Sequence, residues 1–101
     1  MCAALRLTRT RAIATNQEVT FVVDLARKTY QSVAIPETIL PRAIGLELTV
    51  ADSQRESSVR GNFLFFPSGG SSGGDLMLVL GGKRAMINVN WLTGEARCEV
   101  S

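Results

Sequence analysis

Apolar and polar positions along the chain separate a short helical segment from a longer β-rich region. Residues 3–16 are mostly good helix formers, and Asn16 is a residue type that can end a helix in the left-handed conformation. The apolar residues of this segment fall on two faces, one with Ala3, Leu7 and Ala14 and the other with Leu5 and Ala12. This pattern predicts a helix that is contacted on two sides.

From Gln17 onward apolar residues alternate with polar ones, as they do in half-buried strands. A loop is predicted between Pro36 and Pro41, because proline lacks the amide that a central strand needs, and a mobile polar connection is predicted over 52–58. The predicted strands cover residues 18–24, 28–33, 44–50, 59–66, 76–80, 84–91 and 95–100. The expected fold class is α+β. One domain spans residues 1–101, with helix 1–16 laid against an antiparallel β-rich part, 17–101, of about seven strands.

The composition excludes most catalytic chemistry. The 101 residues contain no His and only 2 Cys, so neither a Ser-His-Asp or Cys-His catalytic group nor a four-ligand zinc site of Cys and His can form. The carboxylates form no convincing acid–base pair, and the aspartates are too dispersed for a linear calcium loop. A net charge of +2 is too small to indicate a nucleic-acid partner. We therefore expect a protein that is not an enzyme and that has no cofactor and no metal.

A run of glycine and serine is the most distinctive segment. Gly69 and Gly74 have the separation found in phosphate-binding loops, but Asp75 stands where such a loop needs Lys, and an aspartate repels phosphate. The run is then either a flexible connection between two strands or an exposed, pliable loop whose backbone a partner approaches. Its candidate contact residues are Ser68, Gly69, Gly70, Ser71, Ser72, Gly73 and Gly74.

The cysteines and the tryptophan are interpreted as core residues. Cys98 is in phase with Ala96 and Val100, which predicts a small buried hydrophobe, and a disulfide between Cys2 and Cys98 stays an open alternative. Trp91 continues the apolar phase of the strand before it, so it is expected to point inward and fill one end of the fold. The other residues assigned to the core on the same grounds are Phe63, Phe65 and Phe66.

The arginines of the predicted helix allow two readings. Arg6, Arg9 and Arg11, with Arg27 and Lys28 nearby in sequence, form either a solvated face or a patch that contacts phosphates of DNA or lipid headgroups. No aromatic residue lies among these arginines to stack on bases, which favours the solvated face.

Three stretches in this order resemble the H-class minor pseudopilins of bacterial type II secretion systems, the GspH/FimT-like family. Together with the strand order, the likeness spans nearly the whole chain. The first runs from Leu5 to Phe21, the second consists of Phe65-Phe66-Pro67 with the glycine-serine run, and the third is Val89-Asn90-Trp91-Leu92-Thr93-Gly94-Glu95. The resemblance implies a helix packed on a small antiparallel β-sandwich and no catalytic residues.

The resemblance also implies a place in the cell. Such proteins are made as prepilins, are anchored in the inner membrane by an apolar N-terminal helix, and join a periplasmic pseudopilus at or near its tip with other major and minor pseudopilins. Secreted cargo and the outer-membrane channel are further partners implied. We expect this sequence to be the water-soluble part of such a protein, with Met1 added at an artificial start. Residues 3–16 are then expected to be the trailing half of the long N-terminal helix. Candidate contacts on that helix are Leu5, Arg6, Arg9, Ala12 and Ile13.

Two alternatives stay open. Minor pilins of type IV pili, which help to assemble pili or take up DNA, belong to the same family, but those tend to carry a basic C-terminal motif. Here Glu95 and Glu99 stand on either side of Arg97, so nucleic-acid binding is not expected. The other alternative is a freestanding β-rich adaptor.

Overall fold

The computed structural model describes residues 1–50, 55–57 and 59–100, apart from the side chain of Glu56. Its single α-helix within these residues, α1, covers Cys2–Thr15. Asn16 ends the helix in the left-handed conformation (φ 55°, ψ 39°), and the amides of Asn16 and Gln17 donate to the carbonyl oxygens of Ile13 and Ala12. The predicted helix and its predicted end are therefore confirmed. No helix in the described part of the chain is long and apolar enough to cross a membrane.

Nine strands follow α1 in the described residues. They are β1 (Val19–Asp24), β2 (Thr29–Ser32), β3 (Ile35–Ile39), β4 (Gly45–Val50), β5 (Arg55–Ser57), β6 (Arg60–Phe65), β7 (Gly74–Leu80), β8 (Lys83–Val89) and β9 (Ala96–Val100). All pair antiparallel, in the orders β3-β2-β1-β6-β5 and β4-β7-β8-β9. The helix contacts β1, β3 and β6 of the first sheet and β9 of the second, so it spans both sheets.

Two of these strands correct the sequence prediction. β3 occupies the segment that was predicted as a proline-framed loop, and it accommodates Pro36 because it lies at the edge of its sheet, where one side of the strand needs no ladder partner. β5 lies within the predicted polar connection over 52–58 and also forms a sheet edge. The rest of that prediction, at 52–54 and 58, lies outside the described residues.

The core lies between the helix and the two sheets. Phe63 and Phe65 are fully buried there, as predicted, and the ring of Phe21 lies 6.4 Å from that of Phe63. Phe66 is half-buried. Trp91 is 68% exposed, so its predicted inward position is wrong. The strand ends at Val89, and Trp91 belongs to the turn that follows, where the alternation of the strand no longer sets the direction of a side chain.

Cys2 and Cys98 form a disulfide, with Cα atoms 6.4 Å apart. This bond joins the first turn of α1 to the last strand. The prediction that Cys98 is a small buried hydrophobe is wrong, because its sulfur is bonded to Cys2 and the residue is exposed. Of the residues in its phase of β9, Ala96 is buried and Val100 is exposed.

The register defines two ends of the sandwich. β9 runs towards the start of α1, since Ala96 accepts a hydrogen bond from Arg6 and Cys98 is bonded to Cys2. Pairing along both sheets then places 25–28, 40–44 and 81–84 at the end beside the start of α1, which we call the near end. Residues 16–18, 66–73 and 90–95 lie at the opposite, far end.

Candidate partner interface

Arg9 joins three separate segments of the chain at the far end. Its Nε atom donates to the carbonyl oxygen of Gly69 at 3.1 Å and to that of Thr93 at 2.9 Å. The first carbonyl belongs to the glycine-serine run and the second to the turn between β8 and β9. We call this arrangement the Arg9 junction, comprising Arg9, Gly69, Thr93 and Gly94. Because the hydrogen bonds come from a charged donor, the junction holds both segments firmly against the helix.

Glycines of the run and of the turn after β8 allow the backbones at the far end to pack closely. Gly94 has a φ of 68° and lies so close to Gly69 that a β-carbon on it would overlap the carbonyl oxygen of Gly69. A β-carbon on Gly70 would lie 3.0 Å from the carbonyl oxygen of Trp91, and one on Gly73 would lie 3.1 Å from the Trp91 β-carbon. Glycine therefore lets the run and the turn approach each other backbone to backbone.

The glycine-serine run is mostly buried, whereas one sequence interpretation expected an exposed loop. Gly69, Gly70, Ser71 and Gly73 are buried, Ser72 and Gly74 are half-buried, and only Ser68 of the candidate residues is exposed. The tertiary contacts of the run with the helix and the turn exclude solvent, and sequence spacing alone does not reveal such contacts.

Its backbone amides are also occupied. The amide of Ser71 donates to the carbonyl oxygen of Trp91 at 2.9 Å, that of Ser72 to Leu64 at 2.8 Å, and that of Gly73 to the hydroxyl of Ser71 at 3.0 Å. A phosphate-binding loop directs free amides at its ligand. The run instead uses these donors to bind its own fold, in agreement with the absence of a P-loop lysine.

Trp91 and Leu92 form an exposed apolar tip at the far end. The side-chain oxygen of Asn90 accepts hydrogen bonds from the amides of Leu92 (2.8 Å) and Thr93 (3.1 Å), which fixes the turn. As a consequence, the side chains of Trp91 and Leu92 are 68% and 66% exposed. The sequence assignment missed this tip. The sequence did contain a signal for it. Asn90 and Gly94, on either side of the tryptophan, are residue types typical of turns, which indicates that Trp91 lies in a turn rather than in a strand.

The helix candidates separate into core and surface residues. Leu5 and Ala12 are fully buried between the helix and the sheets, so their side chains offer nothing to a partner. Arg6 is exposed and reaches the carbonyl oxygen of Ala96 at 3.4 Å. Ile13 is exposed beside Gly69, so the structure brings Arg9, Ile13 and the glycine-serine run together in one place.

The other side of α1 is uncovered. Leu7 is 55% exposed, and the residues that share its face are exposed too: Ala3, Thr10 and Ala14. We call this row the helix stripe. The sequence assigned Ala3, Leu7 and Ala14 to one face and predicted neighbours on two sides. Among the residues that the structure describes, it is the face with Leu5 and Ala12 that is covered.

The basic residues do not form the single patch that one sequence reading allowed. Arg6 and Arg9 bind backbone carbonyl groups beside the helix, whereas Arg27 lies at the near end, 3.7 Å from the carboxylate of Glu37. Lys28 donates to the carbonyl oxygen of Arg42. Among the residues that the structure describes, no group of three or more His, Cys, Asp or Glu is placed to hold a metal ion.

The fold is one N-terminal helix across two antiparallel sheets, and comparisons with known proteins identify the family of the chain. Residues 1–94 match the family model described as "Type II transport protein GspH". The type II secretion system protein H of Xanthomonas campestris pv. campestris is 33% identical over 97 residues, which are 96% of this chain and 57% of that protein. The structure of the minor pseudopilin EpsH from the type 2 secretion system of Vibrio cholerae matches with a TM-score of 0.73 at 13% identity, over 94% of this chain and 86% of that one.

The chain therefore belongs to the GspH family, and the resemblance recognised in the sequence is confirmed. It spans 57% of the length of its Xanthomonas relative. The match to EpsH confirms the fold, one N-terminal helix on antiparallel sheets.

Proposed function

We propose that this chain is the globular part of a minor pseudopilin, a structural subunit of a type II secretion pseudopilus that helps to export folded proteins. The observation that carries the proposal is the helix stripe. One face of the helix is covered, and on the other the side chain of Leu7 is exposed. The small residues that share this face, Ala3, Thr10 and Ala14, would let a neighbouring subunit approach closely. The stripe would contact other pseudopilins.

The proposal includes the position of the domain in the cell. A membrane-spanning segment before residue 1 would continue α1 into the inner membrane and leave the sandwich in the periplasm. The disulfide between Cys2 and Cys98 supports this placement, because disulfides form and persist in the oxidising periplasm and are rare in the cytosol.

The far-end tip is the candidate for contact with components beyond the neighbouring subunits. Trp91 and Leu92 are exposed apolar residues at the end of the sandwich opposite the start of α1, and Arg9 donates a hydrogen bond to the carbonyl oxygen of Thr93 in their turn. An exposed aromatic residue on a fixed turn is typical of a binding surface for another protein. We propose secreted cargo or the outer-membrane channel as its partner. The subunit has a structural role and no catalytic one.

A charge substitution in the helix stripe tests this function. In cells that carry the full-length protein as their only copy, Leu7→Glu should abolish secretion and co-purification with the other pseudopilins, because it places a charge in an apolar contact. Met86→Glu is the matched control, since Met86 is 54% exposed on the second sheet. The domain with Leu7→Glu should keep its thermal stability. Normal secretion and co-purification with Leu7→Glu would refute the proposal.

A further inference from the structure

The near end of the sandwich gathers positive charge from segments that are far apart in sequence. Arg27 and Lys28 lie in the turn between β1 and β2, and Arg42 lies in the loop before β4. These three residues line one depression. The start of β8 adds Lys83 and Arg84, which are exposed at the same end. We call this set of five residues the basic rim.

Carboxylates balance only part of the basic rim. Arg27 is paired with Glu37, and its amide donates to the carboxylate of Asp24 at 2.9 Å. Within the described residues, none of the four other cations of the rim forms an ion pair; they are Lys28, Arg42, Lys83 and Arg84. The hydrogen bond from Lys28 to a backbone carbonyl oxygen leaves its charge in place.

The connecting segments of the far end differ from those of the near end. Segments 16–18, 66–73 and 90–95 contain Glu18 and Glu95 and no Lys or Arg, and the Arg9 side chain that lies against them donates to backbone carbonyl oxygens. The loops of the near end therefore carry more positive charge than these loops of the far end. An uneven charge of this kind orients a protein in the field of a charged surface.

Exposed aliphatic side chains accompany the cations of the near end. Ile39 is 74% exposed at the end of β3, and Leu80 is 51% exposed directly opposite Lys83 in the hairpin. Val59 is also exposed there. Cations next to exposed aliphatic residues are typical of proteins that rest on a membrane, because the aliphatic side chains enter the boundary between headgroups and acyl chains while the cations bind phosphates.

We propose that the near end of this domain binds the surface of a bilayer that contains anionic phospholipids. Lys28, Arg42, Lys83 and Arg84 contact lipid phosphates, and Ile39 and Leu80 enter the interface. Because α1 also starts at the near end, a membrane segment before residue 1 would hold the rim against that bilayer. This last point rests on the proposed function, whereas the lipid binding of the domain does not. The subunit is then held on the membrane surface in one orientation before it enters the filament.

Flotation of the 101-residue domain with lipid vesicles tests the proposal. The domain should bind vesicles of phosphatidylcholine mixed with phosphatidylglycerol, and binding should weaken with salt and be absent on phosphatidylcholine alone. Each rim charge contributes about fivefold to partitioning, so the double substitution Lys83→Glu and Arg84→Glu should lower it more than tenfold. The control with the same net charge is Arg11→Glu with Arg97→Glu, two exposed residues outside the rim, and it should lose much less.

Three results would overturn the proposal. One is a wild-type domain that does not bind the anionic vesicles. Another is an equal loss in the two charge-reversed variants, which would show an effect of net charge alone. The third is binding of the domain to duplex DNA that persists at salt concentrations at which the domain no longer binds vesicles. The Leu7→Glu variant should float like wild type, so failure of the lipid proposal and failure of the proposed pseudopilin role are distinguishable.

Discussion

Gly94 packs directly against the carbonyl group of Gly69, so closely that only a residue without a β-carbon fits. The two glycines are 25 positions apart in sequence, and Arg9 of the helix holds both of their segments. The far end of this small domain is therefore a rigid, three-part structure rather than a set of independent loops.

Gly94→Ala should lower the free energy of unfolding by about 3 kcal/mol or more, because the new methyl group overlaps backbone and the φ of 68° is unfavourable for alanine. Urea denaturation of the domain measures the effect. Gly82→Ala is the matched control, since a β-carbon there has no neighbour within 4 Å, and it should change stability by less than about 0.5 kcal/mol. Equal effects of the two substitutions would contradict the packing role of Gly94.

Arg9→Ala should cost about 2 kcal/mol of stability, because two backbone carbonyl groups lose a charged donor. Arg9→Lys should recover little, since an ammonium group on a flexible stem does not reproduce the position of Nε. Arg11→Ala removes an exposed arginine two residues further along the helix, on another face, and should be nearly neutral. Chemical denaturation measures the free energy of unfolding of the three variants. An Arg9→Ala domain as stable as the Arg11→Ala domain would show that the Arg9 junction does not stabilise the fold.

Reduction of the disulfide should destabilise the domain by about 4 kcal/mol, since the bond closes a loop across 96 positions and restricts the unfolded chain. Thermal unfolding with and without dithiothreitol measures this. The double variant Cys2→Ser and Cys98→Ser should match the reduced protein and should not respond to dithiothreitol. Unfolding of the wild type at the same temperature in both conditions would mean that the bond adds no stability.

Trp91→Ala should cost less than about 1 kcal/mol, because the ring is mainly in solvent, whereas Phe63→Ala should cost about 3–5 kcal/mol. The chain has 1 Trp, so its fluorescence reports on this position alone. Emission should be typical of a solvent-exposed indole and readily quenched by acrylamide in the folded state. A blue-shifted emission that resists quenching would place Trp91 inside, as the sequence alone suggested.

Local patterns in the sequence predicted the helix, its end at Asn16 and the seven main strands, because helix propensity, capping and alternation depend on neighbours in the chain. They did not predict β3 or β5, which are short edge strands and tolerate proline or polar residues. Nor did they reveal the rigidity of the glycine-serine run. That rigidity depends on Arg9 and Gly94, and sequence spacing cannot show that these residues meet.

The candidate site was predicted in part. Arg9, Ile13 and Gly69 were named from sequence and lie together, but Leu5 and Ala12 turned out to be core. Helical periodicity places residues on faces without saying which face the sheets will cover. Leu7 was therefore absent from the candidate residues although it lies at the centre of the uncovered stripe.

Photo-crosslinking from the helix stripe tests the central claim most directly. A photoreactive amino acid at Leu7 of the full-length protein, in cells with an active secretion system, should form crosslinks to another pseudopilin, whereas the same probe at Met86 should not. Crosslinks of the same kind from both positions, or none from Leu7 in cells that secrete normally, would contradict assembly through this face of α1.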